Sequence, residues 1–160
     1  MSKFLLSILL SVVMNNVGIS QGLQLDSNAH LKMAIYPSGT YQETYYFEID
    51  DIGMMTVEKG TRISDDLSAE QYLKSIKYFG ENELTTKDIL EISKLTDLIA
   101  ENNLNDDYMI KDGWMIQIYF KDETIEETYK SQVYASEDIR NSIYNFMEIS
   151  PIDINLHGWS

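Results

Sequence analysis

The chain has 160 residues, 44% of them hydrophobic, and a formal net charge of −14 at pH 7. That length and apolar content suit one domain with its own core, and the few Pro and Gly residues argue against a long disordered linker. The acidic excess excludes nucleic acid as an expected partner, because a negative surface repels phosphate backbones and anionic lipids. It favours a basic protein partner, calcium binding or plain solubility.

The first twenty residues have the pattern of a secretory signal peptide. Lys3 supplies a basic start, an apolar run follows over residues 4–14, and small residues precede a cleavage point before Gln21. The run is too short to cross a bilayer, which takes about 20 apolar residues. We therefore predict a signal peptide at residues 1–20 and a single exported domain at residues 21–160, without stable membrane insertion after cleavage. A buried N-terminal helix or strand is the alternative.

The chain contains no cysteine. It therefore has no disulfide, no thiol chemistry and no lipid-attachment cysteine. An exported domain of this kind must be held together by its core, which about 140 residues can provide. The absence of cysteine favours a bacterial protein over a eukaryotic secreted one, and it leaves both a periplasmic and an extracellular location open.

Apolar and polar residues alternate along residues 30–36, which predicts the first strand. Residues 41–49, rich in Tyr, Thr and Phe, form the second predicted strand. The sequence DDIG at residues 50–53 is typical of a four-residue hairpin loop, because Asp starts turns and Gly accepts positive φ. The chain then returns in a third strand over residues 54–59.

The middle of the chain predicts a helix after one ambiguous segment. Residues 72–79 fit a fourth strand or a short helix, and we favour the strand. Thr85 and Asp88 match a capping box, with Asp in place of the usual Glu. Apolar residues recur at helical spacing over residues 89–99, and Asn102 is suited to end the helix.

The last third predicts a hairpin and a second helix. Residues 114–120 form a strong strand, and residues 124–134 pair back against it. Ser136 caps the helix, and the Pro that follows Ser150 ends it. Hairpins require antiparallel pairing, so the predicted fold is an α+β domain with an antiparallel sheet of about five strands and two helices packed on one face.

The stretch NLNDDYMIKDGW, residues 103–114, is rich in Asp and Asn and raises the question of a calcium site. An EF-hand loop needs a ligand at its first position, Gly at its sixth and Glu at its twelfth; with Gly113 sixth, Tyr108 and Tyr119 take the outer positions. A structural envelope module with a non-standard calcium loop stays as one hypothesis, with candidate ligands Asn105, Asp106, Asp107 and Asp112. A helix-to-strand connection is the simpler interpretation, so we assign no metal and no cofactor.

The catalytic patterns of the sequence are unspecific. Carboxylate pairs such as Glu126 and Glu127 are sequence neighbours, which point to opposite faces of a strand. His30 and His157 are the only histidines, and no GxSxG elbow or phosphate-binding glycine loop is present. We assign no catalytic residue. An exported carboxylate-dependent hydrolase or carbohydrate-active protein remains an alternative, and it would require a cleft that holds two carboxylates.

Strand alternation points to a candidate binding surface. If the helices cover one face of the sheet, the other face is open, and four of its residues are Tyr46, Met115, Gln117 and Tyr119. Exposed Tyr and Met are enriched at protein interfaces, although tyrosine also suits half-exposed strands for packing reasons alone. We predict these four as partner-binding residues.

The combination of small size, acidity and a signal peptide favours an exported, non-catalytic binding protein. Such a protein would hold a protein partner, for example a basic one, as inhibitors and periplasmic immunity proteins do. Charge complementarity speeds association and selects partners, which is the physical basis of this expectation. The hydrolase and the calcium-bound module are the two alternatives.

Overall fold

The structure, a computed structural model, describes residues 30–104 and 113–156. The predicted signal peptide and the four candidate calcium ligands therefore lie outside the described residues. Within them the chain forms one antiparallel sheet and two helices, which confirms the predicted α+β class. The elements are β1 (His30–Pro37), β2 (Thr44–Ile49), β3 (Met54–Arg62), β4 (Leu73–Glu83), α1 (Thr86–Glu101), β5 (Trp114–Lys121), β6 (Glu126–Gln132) and α2 (Glu137–Ile149).

The sheet has six strands rather than about five, because the ambiguous segment is strand β4. The strand order is β4-β3-β2-β1-β5-β6. The first four strands form a continuous antiparallel meander, and β5 returns to pair with the other side of β1. Strand β4 is consequently one edge of the sheet, and β6 is the other.

Both helices begin where local hydrogen bonding dictates. The Thr85 hydroxyl accepts from the Asp88 backbone N–H while the Asp88 carboxylate accepts from the Thr85 N–H, so the predicted capping box is present. Ser136 accepts from the Ile139 N–H at the start of α2, where two acidic residues occupy the positive end of the helix. Both predicted helix starts are confirmed.

The two helices cover one face of the sheet, which is called the helix-side face below. Apolar side chains from β1, β2, β3 and β5 meet the apolar stripes of α1 and α2 there, and the Phe47 and Phe146 rings pack edge to face with centroids 4.8 Å apart. The C-terminal tail, residues 150–156, extends this layer. A Cβ added to Gly80 would lie 2.8 Å from Ile152 Cγ2, so only glycine leaves room for the tail under β4.

The opposite face of the sheet is partly covered by the β3–β4 connection, residues 63–72, which is called the cover segment below. Leu67 is fully buried in this segment and joins a second apolar cluster with residues of β1, β2 and β5. The Gln117 side-chain N–H donates to the Asp65 carbonyl at 3.3 Å, and the Tyr72 ring lies 5.4 Å from the Tyr46 ring. The sheet therefore has a hydrophobic layer on each side.

Candidate functional site

The four predicted binding residues share one face of the sheet, but that face is not open at their position. Tyr46, Met115 and Tyr119 belong to the cluster that packs against the cover segment, and Gln117 is bonded to it. Their exposed fractions are 9%, 3%, 5% and 6% for Tyr46, Met115, Tyr119 and Gln117. The expectation of an open sheet face is wrong here, because the cover segment folds back and inserts Leu67.

Hydrogen bonds within the chain already engage these polar groups. The Tyr46 hydroxyl donates to Glu48 at 3.2 Å, and the Tyr119 hydroxyl donates to Glu126 at 2.9 Å. Burial, together with the Glu48 charge, raises the pKa of Tyr46 well above its ordinary value, so this tyrosine stays protonated. A binding role for the four residues stays a prediction, and it requires the cover segment to move.

The half of this face nearest β4 is less covered. Its side chains include Glu48 on β2, Glu58 on β3, and Phe79 and Glu81 on β4; Glu58 lies directly opposite Phe79 in the sheet. The pKa of Glu58 is raised. Partial burial is the larger cause, and the charge of Glu48 is the second. This acidic strip, made of Glu48, Glu58 and Glu81, lies beside an aromatic ring that is 57% exposed.

Strand β4 carries a concentration of exposed apolar side chains. Three large apolar side chains within four consecutive residues are exposed. The exposed fractions are 49% for Ile76, 60% for Tyr78 and 57% for Phe79. No described strand pairs with the outer edge of β4. An exposed apolar edge strand is the kind of surface that pairs with another chain, because its backbone N–H and C=O groups are unpaired.

The direction of these backbone groups follows from the hydrogen bonds next to the strand. The Leu84 N–H donates to the Gly53 carbonyl at 2.9 Å, so the even-numbered residues of this part of β4 face β3. Hydrogen-bonded and non-hydrogen-bonded pairs alternate along an antiparallel ladder. The N–H and C=O groups of Phe79 and Glu81 therefore point away from β3, toward the outer edge.

A bulge limits the straight part of this edge. The register between β3 and β4 shifts at Gly60, and three residues of β4, numbers 75–77, lie between the regular pairs on either side. Ser75 has a φ of 53°, and a Cβ added to Gly60 would lie 2.9 Å from the Lys74 carbonyl oxygen. Gly60 thus permits the bulge, and the regular edge runs from residue 78 to residue 83.

Charges of opposite sign lie at the two ends of β4. Lys77 and Lys59 both pair with Glu43, at 3.6 and 2.5 Å, and the Lys59 hydrogen bond is the largest cause of the lowered pKa of Glu43. Glu81 and Glu83 follow at the other end of the strand. A strand with one basic end and one acidic end favours an antiparallel partner strand whose charges follow the same order along its sequence. Each basic residue then lies opposite an acidic one.

Within the described part of the chain, two of the surface depressions lie beside these elements. The first, of about 410 Å³, lies where the cover segment leaves β3, and Arg62 is one of the residues that line it. The Arg62 guanidinium lies 3.9 Å from the Tyr36 ring centroid and 2.8 Å from an Asp65 carboxylate oxygen. The second, of about 370 Å³, lies between the ends of α1 and α2. Among the carboxylates that line the second, Asp88 serves the helix cap and Glu91 accepts from Asn145.

Residues 30–104 and 113–156 hold no group of three or more His, Asp or Glu side chains placed to bind a metal ion. No helix in that part of the chain is long and apolar enough to cross a membrane. The calcium hypothesis concerns residues 105–112, and it stays a prediction.

Comparison with known proteins assigns no family. No protein-family model matches the chain, and no curated protein matches it at a significant level. The function is therefore inferred from the geometry and chemistry of the surfaces described above.

Proposed function

We propose that the chain is an exported, non-catalytic binding protein that holds a basic protein partner, in the manner of an inhibitor or an immunity protein. The observation that supports it most is the outer edge of β4, where three large apolar side chains are exposed on a strand without a described neighbour. The four residues predicted from the sequence lie further in on the same sheet, under the cover segment.

Strand addition is the binding mode that suits this edge. An extended segment of a partner would bond to the outward N–H and C=O groups at Phe79 and Glu81, and its side chains would contact those of β4. Main-chain bonds of this kind supply affinity without a deep pocket. The shallow surfaces of the described residues are compatible with this mode.

The preference for a basic partner rests on the charges around Phe79. Glu48, Glu58 and Glu81 lie on the same side of the sheet as the Phe79 ring. A Lys or Arg side chain of the partner could lie over this ring and pair with a carboxylate of the acidic strip. The net charge of −14 adds a long-range attraction that accelerates the encounter.

Affinity capture with Phe79→Thr tests the proposal. Threonine keeps the strand propensity and removes the ring, so the fold should persist while a central aromatic contact is lost. We expect the tagged wild-type chain to retain a basic protein from its own cells or medium at low salt and to lose it at high salt. Phe79→Thr should weaken this binding about thirtyfold, which corresponds to about 2 kcal/mol.

Tyr144→Ala is the matched control, because Tyr144 is a comparably exposed aromatic residue on α2, away from β4. It should leave capture unchanged. Equal capture by the wild type and Phe79→Thr would exclude the β4 edge as the binding surface. Failure to retain any protein at either salt concentration would overturn the proposed function itself.

A further inference from the structure

We infer that β4 also pairs with β4 of a second copy of the chain, antiparallel about a two-fold axis at Phe79, so that two sheets become one. This inference goes beyond the proposed function and is independent of it, although both concern the outer edge of β4. Three properties of β4 support it: the direction of its backbone groups, the order of its side chains and the position of its bulge.

The backbone groups restrict the register first. Only residues whose N–H and C=O groups point outward can form a hydrogen-bonded pair across a new interface. On β4 these are the odd-numbered residues of the regular part, among them Phe79 and Glu81. Phe79 of one copy can therefore lie opposite Phe79 or Glu81 of the other, and pairing of Phe79 with Tyr78 is excluded.

The side chains select among the allowed registers. When Phe79 lies opposite Phe79, Lys77 of each copy lies opposite Glu81 of the other, and Tyr78 lies opposite Gly80. Two opposite-charge pairs then flank one aromatic pair. Tyr78 lies beside the tail residues Pro151 and Ile152, which already cover the Gly80 of the other copy. Two-fold symmetry produces every favourable pair twice except the central one, because the contact is self-complementary.

The neighbouring registers produce less favourable pairs of side chains. Centring the pair on Gly80 would place the Phe79 ring opposite the Glu81 carboxylate. Centring it on Tyr78 would place Lys77 opposite Phe79 and would bring Ser75, with its φ of 53°, into the ladder. Centring it on Glu81 would bring two like charges together, which is unfavourable.

The bulge sets the length of the contact. With Phe79 at the centre, the regular part of the ladder covers residues 78–80, and the pairs of Lys77 with Glu81 complete it where the bulge begins. A ladder of five residues is short, so the dimer should be concentration-dependent. A protein partner that adds to the same edge would compete with the second copy.

Cysteine cross-linking tests the register directly, because the chain has no cysteine of its own. Lys77→Cys and Glu81→Cys chains are prepared separately, mixed and mildly oxidised. Opposite residues of a hydrogen-bonded pair have Cα atoms about 5.5 Å apart, which a disulfide can span. We expect the mixture to give a covalent heterodimer, while each chain alone stays monomeric on a non-reducing gel.

Replacing Glu81→Cys by Glu83→Cys is the register control, because this mixture cross-links only if the pair is centred on Gly80. Cross-linking in that mixture alone would overturn the register we propose. Phe79→Cys should cross-link to itself, and Tyr78→Cys should not. The absence of every cross-link at high protein concentration would overturn the dimer.

Sedimentation equilibrium adds a test without cysteine. Lys77→Glu or Glu81→Lys should each weaken dimerisation at least tenfold, and the double variant should restore it because the opposite-charge pairs re-form. Restoration would also show that the weakening arises at the interface between the two copies. It would not be due to loss of the ion pair between Lys77 and Glu43 within one chain, because the double variant lacks that pair as well. No effect of either charge reversal on the dimer would contradict the pairing of Lys77 with Glu81.

The two proposals can fail separately. A monomeric chain whose capture of a basic protein still depends on Phe79 would refute the second copy and leave the proposed function standing. A dimer with the expected cross-links, together with no captured protein at either salt concentration, would refute the proposed function and leave the dimer standing.

Discussion

Among single residues, Glu58 has the clearest electrostatic consequence. Partial burial disfavours its charged form, and the nearby Glu48 carboxylate adds repulsion, so the pKa of Glu58 is raised above the ordinary 4.5. A carboxyl with a raised pKa binds its proton more tightly in the folded state than in the unfolded state. Its contribution to stability therefore falls as the pH rises from 4.5 through the raised pKa.

Glu58→Gln should make the protein more stable at neutral pH, because a neutral amide of the same shape avoids the cost of the buried charge. Below the ordinary pKa of 4.5 the advantage should vanish, since both states are then protonated in the wild type. Urea denaturation across this pH range measures the difference. In a Glu48→Gln background the gain should shrink, because the second cause of the shift is removed; an undiminished gain would contradict the role of Glu48.

Residue by residue, the sequence predicts which face a strand side chain occupies but not whether that face is covered. Alternation alone places Tyr46, Met115, Gln117 and Tyr119 on one face, because the direction of a side chain is a local property of a strand. Their burial depends on Leu67, one of a few apolar residues in a mostly polar loop, and no local pattern indicates where that loop folds. The exposed Phe79 is missed for a related reason, since only the strand order shows that β4 is an edge.

Among the elements, the cover segment is notable because it acts as a second layer without regular structure. Leu67 anchors it by burial, Arg62 pairs with Asp65 at 2.8 Å, and Ser64, Asp66 and Ser68 bond to one another within the loop. The segment is short and joins adjacent strands, so its closure costs little entropy. Its stability should therefore depend mainly on the apolar contacts of Leu67 and Tyr72.

Leu67→Ala should lower the free energy of unfolding by about 2–5 kcal/mol, because it removes a fully buried side chain and leaves a cavity. It should also speed proteolysis within residues 63–72, since the segment loses its anchor. Urea denaturation and timed digestion measure the two effects. Ile63→Ala, at a position that is 43% exposed in the same segment, is the control and should change stability by less than about 1 kcal/mol. Equal effects of the two substitutions would show that Leu67 does not anchor the cover segment.

The elements themselves are largely predictable from the sequence because their signals are local. The Thr85 and Ser136 caps, the alternation of β1 and β5 and the turn at Gly53 each act within a few residues. The extent of β4 is less evident, since its bulge at Gly60 and the exposure of both its faces interrupt the usual pattern. The sheet order depends on contacts between distant segments, and hairpin signals specify only the pairs that are adjacent in sequence.

For the molecule as a whole, the dominant feature is its charge. There are 26 acidic residues against 12 basic ones, and the five ion pairs among the described residues are mostly exposed. Exposed pairs contribute little, whereas an excess of one sign destabilises the compact state through repulsion. Salt screens this repulsion over a Debye length of about 10 Å at 0.1 M.

Added sodium chloride should therefore raise the thermal midpoint of the purified protein at neutral pH, with most of the gain at low concentrations where screening changes fastest. Calorimetry over a salt series measures the shift, and sucrose at matched osmolality is the control for solvent effects. A midpoint that falls with salt would mean that ion pairs such as Glu43–Lys59 outweigh the net repulsion.

The place of β1 in the sheet has a consequence for synthesis. This strand is near the start of the chain, yet it pairs along its whole length with β5, from His30 against Lys121 to Pro37 against Trp114. A ribosome adds roughly 5–20 residues each second, so the interval before β5 emerges is on the order of 4–15 s. Throughout that interval one side of β1, a largely apolar strand, has no strand to pair with. Selection for soluble expression should therefore act on the length of the interval between the synthesis of β1 and that of β5. A chaperone that binds extended apolar segments would bind β1 most readily during that interval.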